Sequence, residues 1–183
     1  MPPSRPREIA GAGRILVWDA AVRLLHWLLA GLVLFDYFID DDGGWLHRTV
    51  GYVAVGVVFS RLLWSGLGEG ANGFAALRPS LRKTLAYRRD GAPRTLSHDP
   101  LGLWMVWLLW LLVLLLGVTG WMTRLDAFWG DETLHEVHAW LAHALIASVA
   151  VHLAGVTAMS WRWRENLVVA MITGKKRDGA RPD

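Results

Sequence analysis

The feature that most constrains this chain is an apolar stretch over residues 132–160 that carries four histidines. As a helix it is long enough to cross a bilayer, because a span needs about 20 residues rising about 1.5 Å each. An ionisable side chain inside a span is costly, so its presence there points to function. The histidines are His135, His138, His143 and His152. The stretch therefore predicts a membrane helix that also holds part of a functional site.

Helical phase separates these histidines. His138 and His152 are fourteen residues apart, so at about 100° per residue they project only about 40° from each other. Along the axis they are separated by about 21 Å. His135 projects about 100° from His152, and His143 projects on the opposite side. One face thus offers two ligand positions, one near each end of the span, as two haem groups stacked across a membrane would require.

Three further apolar runs have the length of a spanning helix, and 54% of the 183 residues are hydrophobic. The pattern predicts an all-α membrane protein, a four-transmembrane-helix bundle. Asp19, and the segment before Pro100, are suited to starting the first and third spans. We expect one membrane domain over residues 1–183. Its predicted helices lie at about 20–39, 46–67, 101–122 and 134–160, with flexible ends at 1–13 and 175–183.

Charge and cysteine content narrow the function. The chain has no cysteine, which excludes disulfides, thiolate-ligated iron–sulfur clusters and covalently attached c-type haem. The pI near 9.7 could suggest nucleic-acid binding, but the basic residues are concentrated in the terminal segments and in the connection 66–100. Positive-inside topology explains this distribution better. We therefore expect both termini in the cytoplasm, no nucleic-acid partner, and a multi-pass membrane protein.

This topology predicts which histidines can meet. His26 lies near the cytoplasmic start of the first span, and His47 lies near the outer start of the second. Since the fourth span runs inward, His138 lies near the outer surface and His152 toward the cytoplasm. Depth therefore pairs His26 with His152 and His47 with His138. Two imidazoles facing each other across a bundle suit the axial positions of a b-type haem, and bis-histidine ligation favours one-electron transfer.

Histidines in a membrane helix can have other roles. A single buried histidine is commonly a hydrogen-bonded polar residue, and a zinc site would need three or four ligands at one depth. A proton or metal pathway would favour Asp or Glu within the spans, and a membrane anchor without redox function would retain histidines for structure alone. His98, His135 and His143 are interpreted as loop, surface or hydrogen-bonded helix positions.

Residues near the span ends could support the haem groups. Haem propionates are anionic and prefer arginine, although each arginine could equally snorkel toward lipid headgroups. The candidates are Arg23 and Arg61 at the inner edge and Arg48 and Arg124 at the outer edge. Gly51 lies one turn beyond His47, where missing bulk would admit a flat ring; close helix packing is the alternative.

These motifs resemble bacterial di-haem cytochrome b561. The resemblance rests on R-x-x-H-W at 23–27, L-H-x-x-x-G at 46–51 and H-x13-H at 138–152, and the segment 165–176 is similar to the end of the b-type cytochrome subunit of nickel–iron hydrogenases. It implies a single cytochrome b membrane domain binding two non-covalent haem b groups. The implied ligands are His26, His47, His138 and His152.

The resemblance also implies a location in the bacterial inner (cytoplasmic) membrane and a role in the respiratory chain. The family's usual role is electron transfer between a periplasmic partner and the quinone pool, so the chain would be an electron-transfer component or subunit of a quinone-linked oxidoreductase. The implied partners are membrane lipid, ubiquinone or menaquinone, and a periplasmic c-type cytochrome or hydrogenase-like subunit. The alternatives are a stand-alone superoxide:quinone oxidoreductase and a non-redox membrane anchor subunit.

Overall fold

The computed structural model describes residues 13–39, 43–68, 73–96 and 98–177. In chain order the elements are β1 (Arg14–Leu16), α1 (Ala20–Phe38), α2 (Trp45–Leu67), α3 (Leu81–Arg89), α4 (Pro100–Met122), α5 (Glu132–Arg162), α6 (Leu167–Thr173) and β2 (Lys175–Arg177). Short 3-10 turns occur at Phe74–Leu77 and Asp126–Phe128. Within the described residues, α1, α2, α4 and α5 are long and apolar enough to cross a membrane. The predicted four-helix membrane bundle is confirmed.

Capping side chains set where the spans begin. The Asp19 carboxylate accepts a hydrogen bond from the Val22 N–H at 2.8 Å, and Asp99 accepts from the N–H groups of Leu101 and Gly102. Such caps satisfy amide groups that have no partner within the helix. Pro100 follows Asp99 as the first residue of α4, where its missing N–H costs nothing. Both predicted helix starts are confirmed.

The four spans do not pack equally closely. Close packing joins α1 to α2, α2 to α4 and α4 to α5. The shared core is formed by residues such as Val58, Trp110, Val113 and Leu145. Across the described residues, no packing of similar closeness joins α5 to α1 or to α2. A gap therefore separates the histidine-bearing face of α5 from the two helices opposite it.

A two-stranded antiparallel sheet ties together the two ends of the described chain. Ile15 pairs with Lys176, and the N–H groups of Val17 and Trp18 both donate to the Gly174 carbonyl. Gly174 has φ +78°, and a Cβ there would lie 2.5 Å from the Trp18 carbonyl oxygen, so this turn requires glycine. The sequence predicts a flexible segment at 175–183, but its first three residues, Lys175–Arg177, form strand β2. The remainder, like residues 1–12, lies outside the described residues.

Candidate haem-binding sites

The structure brings the four singled-out histidines together as two pairs. The ring centroids of His26 on α1 and His152 on α5 are 6.4 Å apart, and those of His47 on α2 and His138 on α5 are 6.2 Å apart. The pairs therefore lie across the gap between α5 and the helices opposite it. We call them the inner pair (His26 and His152) and the outer pair (His47 and His138). Their role as iron ligands stays a prediction.

The separation of the rings fits a metal held between them. With about 2.0–2.1 Å from metal to imidazole nitrogen and about 1.15 Å from that nitrogen to the ring centre, two ligands on opposite sides of a metal have centroids about 6.4 Å apart. Both pairs lie within a few tenths of an ångström of that value. No group of three or more histidine, cysteine or acidic side chains that could hold a metal occurs among the described residues. Each site thus offers two imidazoles at the separation that two histidine ligands of one haem iron would need.

The outer pair is oriented by neighbouring side chains that the sequence analysis did not single out. Thr119 Oγ1 lies 2.7 Å from His138 Nδ1 and donates its own proton to the Leu115 carbonyl. It therefore accepts from His138 Nδ1–H, which leaves Nε2 for a metal. The Asp36 carboxylate contacts His47 Nδ1 at 3.2 Å. Contacts of this kind fix the ring and raise the basicity of a metal-binding imidazole.

A cavity of about 400 Å³ opens beside the outer pair. Its walls include Arg48 and Arg124, the two arginines predicted for this edge, together with His135. A Cβ at Gly120 would lie 3.3 Å from His138 Cε1, so this glycine gives the imidazole room. His135 Nδ1 contacts the Asp131 carbonyl at 2.8 Å, in keeping with its interpretation as a hydrogen-bonded helix residue.

The glycines near the sites play different parts. A Cβ at Gly51 would meet only the Asp36 carboxylate, at 3.8 Å, which is ordinary contact rather than close helix packing. At Gly117 it would lie 2.5 Å from Val55 Cγ2, so α2 and α4 approach each other here because a side chain is missing. Open space at Gly51 is compatible with a flat ring beside His47.

The inner pair has a different environment. His26 packs edge-on against Trp27, with centroids 5.3 Å apart, and among the described residues neither His26 nor His152 forms a side-chain hydrogen bond. The nearby arginines have structural partners. Arg23 donates to the Ile172 and Asp19 carbonyls, which tethers α1 to α6, so its role toward propionate stays a prediction. Arg61 is buried at 7% exposure and donates to Ser65 Oγ.

His98 differs from its interpretation as an ordinary loop residue. Its ring packs 4.5 Å from that of Trp18, and its Nδ1 is buried without a hydrogen-bond partner among the described residues. Burial, together with the nearby charges of Arg61, Lys176 and His26, lowers the pKa of His98 to about 4. The imidazole is therefore neutral at pH 7. The sequence carried no signal for this burial, because it depends on the sheet that positions Trp18.

The fold and the two facing pairs define a class, the four-helix membrane bundles whose core histidines can bind haem. A family model described as prokaryotic cytochrome b561 matches residues 17–174. The chain belongs to that family, and the resemblance noted in the sequence is confirmed. Comparison with curated proteins gives no match, and neither does comparison with solved structures. Family membership implies a bacterial membrane protein that binds b-type haem and transfers electrons across the membrane.

Proposed function

We propose that the chain binds two b haems and carries electrons between a periplasmic partner and the quinone pool. The inner haem would be held by His26 and His152, and the outer haem by His47 and His138. The observation that supports this most strongly is the separation of the rings in both pairs, 6.4 and 6.2 Å, which suits two imidazoles on opposite sides of one iron. When bound, each haem supplies a one-electron redox centre.

The protein's own contribution is to position these centres. Placed about 21 Å apart along α5, the ligand positions divide a hydrocarbon core of about 30 Å into shorter steps. The gap between α5 and the helices opposite it, α1 and α2, gives each haem a place that does not disturb the α2–α4 core. The two imidazoles of each pair would hold the iron from both sides and leave it no open position, so electron transfer is the function that this arrangement favours.

Orientation in the membrane follows from the same proposal. Residues Arg14–Leu16 and Lys175–Arg177 pair in one sheet, so both ends of the described chain lie on the same side. The basic residues of α3, such as Arg82, Lys83 and Arg88, favour the cytoplasm for that side. A reporter that is active only in the periplasm, fused after Asp183, should therefore be inactive. An active fusion would show the opposite topology.

The central experiment is haem content. Purified protein from haem-replete cells should show a dithionite-reduced b-type spectrum, and pyridine haemochrome should give two haems per chain. A colourless protein would reject the proposal, and one haem per chain would reject one of the pairs. Quinone and a partner can then be sought by purification from native membranes followed by redox titration.

A second candidate is a superoxide:quinone oxidoreductase. The cavity lined by Arg48 and Arg124 beside the outer pair supports it, because cationic clefts attract small anions. Superoxide would give up one electron there and leave as oxygen, and two such electrons with two protons would reduce one quinone. Superoxide-dependent quinol formation by the purified protein should fall in Arg48→Gln but not in Arg78→Gln, and a rate equal to the uncatalysed one excludes this activity.

A further inference from the structure

A polar cluster lies next to the inner pair, at the end of the bundle that carries the two-stranded sheet. It consists of His98 from the segment before α4, Arg61 from α2 and Trp18 from the segment before α1. Trp18 is only 7% exposed and packs with Val22, which lies one helical turn before His26. The His98 ring packs at a tilt of 59° against the Trp18 ring, and the charges of Arg61 and His26 are near enough to affect it. The cluster is therefore adjacent to the inner pair.

Two members of this cluster have unused hydrogen-bonding capacity. His98 Nδ1 is buried without a partner among the described residues, which is destabilising unless a further group satisfies it. The Arg61 guanidinium has five N–H donors, yet within the described residues it bonds only Ser65, and no carboxylate lies within 4.0 Å of it.

The acidic residues around the cluster are already engaged. Asp19 influences Arg61 at longer range, but its carboxylate accepts from the Val22 N–H and from Trp64 Nε1. Glu165 is bound by Arg94 through both carboxylate oxygens. A buried guanidinium with free donors beside a buried imidazole without a partner is a site for an anionic, hydrogen-bond-accepting group such as a carboxylate.

We infer that His98 and Arg61 together bind a propionate carboxylate of the inner haem, with His98 Nδ1–H as a neutral donor and Arg61 as the counter-charge. This inference rests on the proposed function, because it requires a haem between His26 and His152. It assigns His98 a binding role and explains why a loop histidine is buried beside Trp18. A propionate so neutralised stabilises the reduced haem, since less negative charge is left near the iron.

The test is a redox titration of the two-haem protein with three variants. His98→Phe keeps an aromatic ring against Trp18 but removes the donor, and His98→Asn restores an N–H near the position of Nδ1. Arg78→Gln is the control, because Arg78 lies 5.5 Å over the Phe74 ring, in the same connection but outside the cluster. In His98→Phe the midpoint potential of the inner haem should fall, with a change in the reduction equilibrium of about tenfold or about 59 mV.

The outer potential should stay constant in every variant, and His98→Asn should recover most of the inner shift. Reconstitution with haem dimethyl ester, which has no propionate charge, should remove the difference between His98→Phe and the wild type. Equal inner potentials in both proteins with native haem, or a difference that persists with the ester, would overturn the inference. If His98→Phe does not fold, His98→Leu, which also lacks the donor, takes its place in the same comparison with native haem and with the ester. A wild-type protein without haem would reject the proposed function itself.

Discussion

The two histidine pairs have nearly equal separations but differ in what surrounds them. At the outer pair, Thr119 holds His138 through Nδ1 and the Asp36 carboxylate contacts His47. At the inner pair, no described side chain bonds either ring, and the polar groups His98 and Arg61 lie to one side. The difference suggests two means of tuning. The outer haem would be tuned through its ligands and the inner haem through its propionates.

Removing a ligand should have the largest effect and should separate the two sites. In His152→Ala the inner haem should be lost and the outer one kept, while His138→Ala should do the reverse. Each leaves an unpaired imidazole facing an emptied apolar space, so a loss of unfolding free energy of a few kcal/mol should accompany haem loss. Pyridine haemochrome should fall from two haems per chain to one in each variant. Loss of both haems from either would show that the sites are not independent.

Thr119→Val should act on the outer site alone. Valine has the shape of threonine but cannot accept the Nδ1–H of His138, and partners of this kind contribute about 10- to 100-fold to metal affinity. Titration of the haem-free protein with haem should show one weakened site of the two. The control is Thr157→Val, because among the described residues Thr157 bonds only the Leu153 carbonyl of its own helix, and it is exposed. A similar loss in Thr157→Val would point to helix stability instead.

Asp36→Asn should shift the outer potential without removing the haem. A carboxylate beside Nδ1 makes His47 a more electron-rich ligand, which stabilises oxidised iron. Without that charge the outer midpoint potential should rise, with a change in the reduction equilibrium of tenfold or less, or up to about 59 mV. The inner potential should not move. A shift in the midpoint potential of the inner haem would mean that Asp36 acts through the electrostatic field of the whole bundle and not through His47.

Much of the difference between the surroundings of the two histidine pairs could not be predicted from the sequence. The four spans were predictable to within two residues at each end, because span length and apolarity are local properties. The approach of His26 to His152 could be predicted from membrane depth and helical phase alone. Thr119, however, looks like any helical threonine until α5 is packed against α4. Asp36 lies within the predicted first span, but its contact with His47 depends on how α1 packs against α2.

Acid should weaken the inner site before the outer one. Glu165 is largely buried and binds Arg94 and the Arg177 N–H, joining the sheet to the segment before α4. Burial acts to raise its pKa, but these hydrogen bonds and the nearby positive charges outweigh that effect and lower the pKa of Glu165 below 4.5. Its stabilisation is therefore complete above pH 4.5 and lost as pH falls through the lowered value.

The measurement is haem release as pH is lowered from 6 to 3, followed by absorbance. The inner haem should dissociate at higher pH than the outer one, and Glu165→Gln should lose much of this difference because its amide does not titrate. In Glu165→Gln the inner haem should already be bound less stably than in the wild type at pH 6. Simultaneous release of both haems in the wild type would contradict a role for Glu165 specific to the inner end.

The smallest expected effect tests which histidine of α5, His135 or His138, is the ligand of the outer haem. His135 lines the same cavity as His138 and lies one turn closer to the start of α5. Its Nδ1, however, contacts the Asp131 carbonyl. On the helix it projects about 100° away from His152. His135→Ala should therefore retain two haems per chain, and both midpoint potentials should stay within error of the wild type. The matched comparison is His138→Ala, where the outer haem is lost. If His135→Ala loses the outer haem and His138→Ala keeps it, the ligand on α5 is His135, and the second imidazole of the outer pair has been assigned to the wrong face.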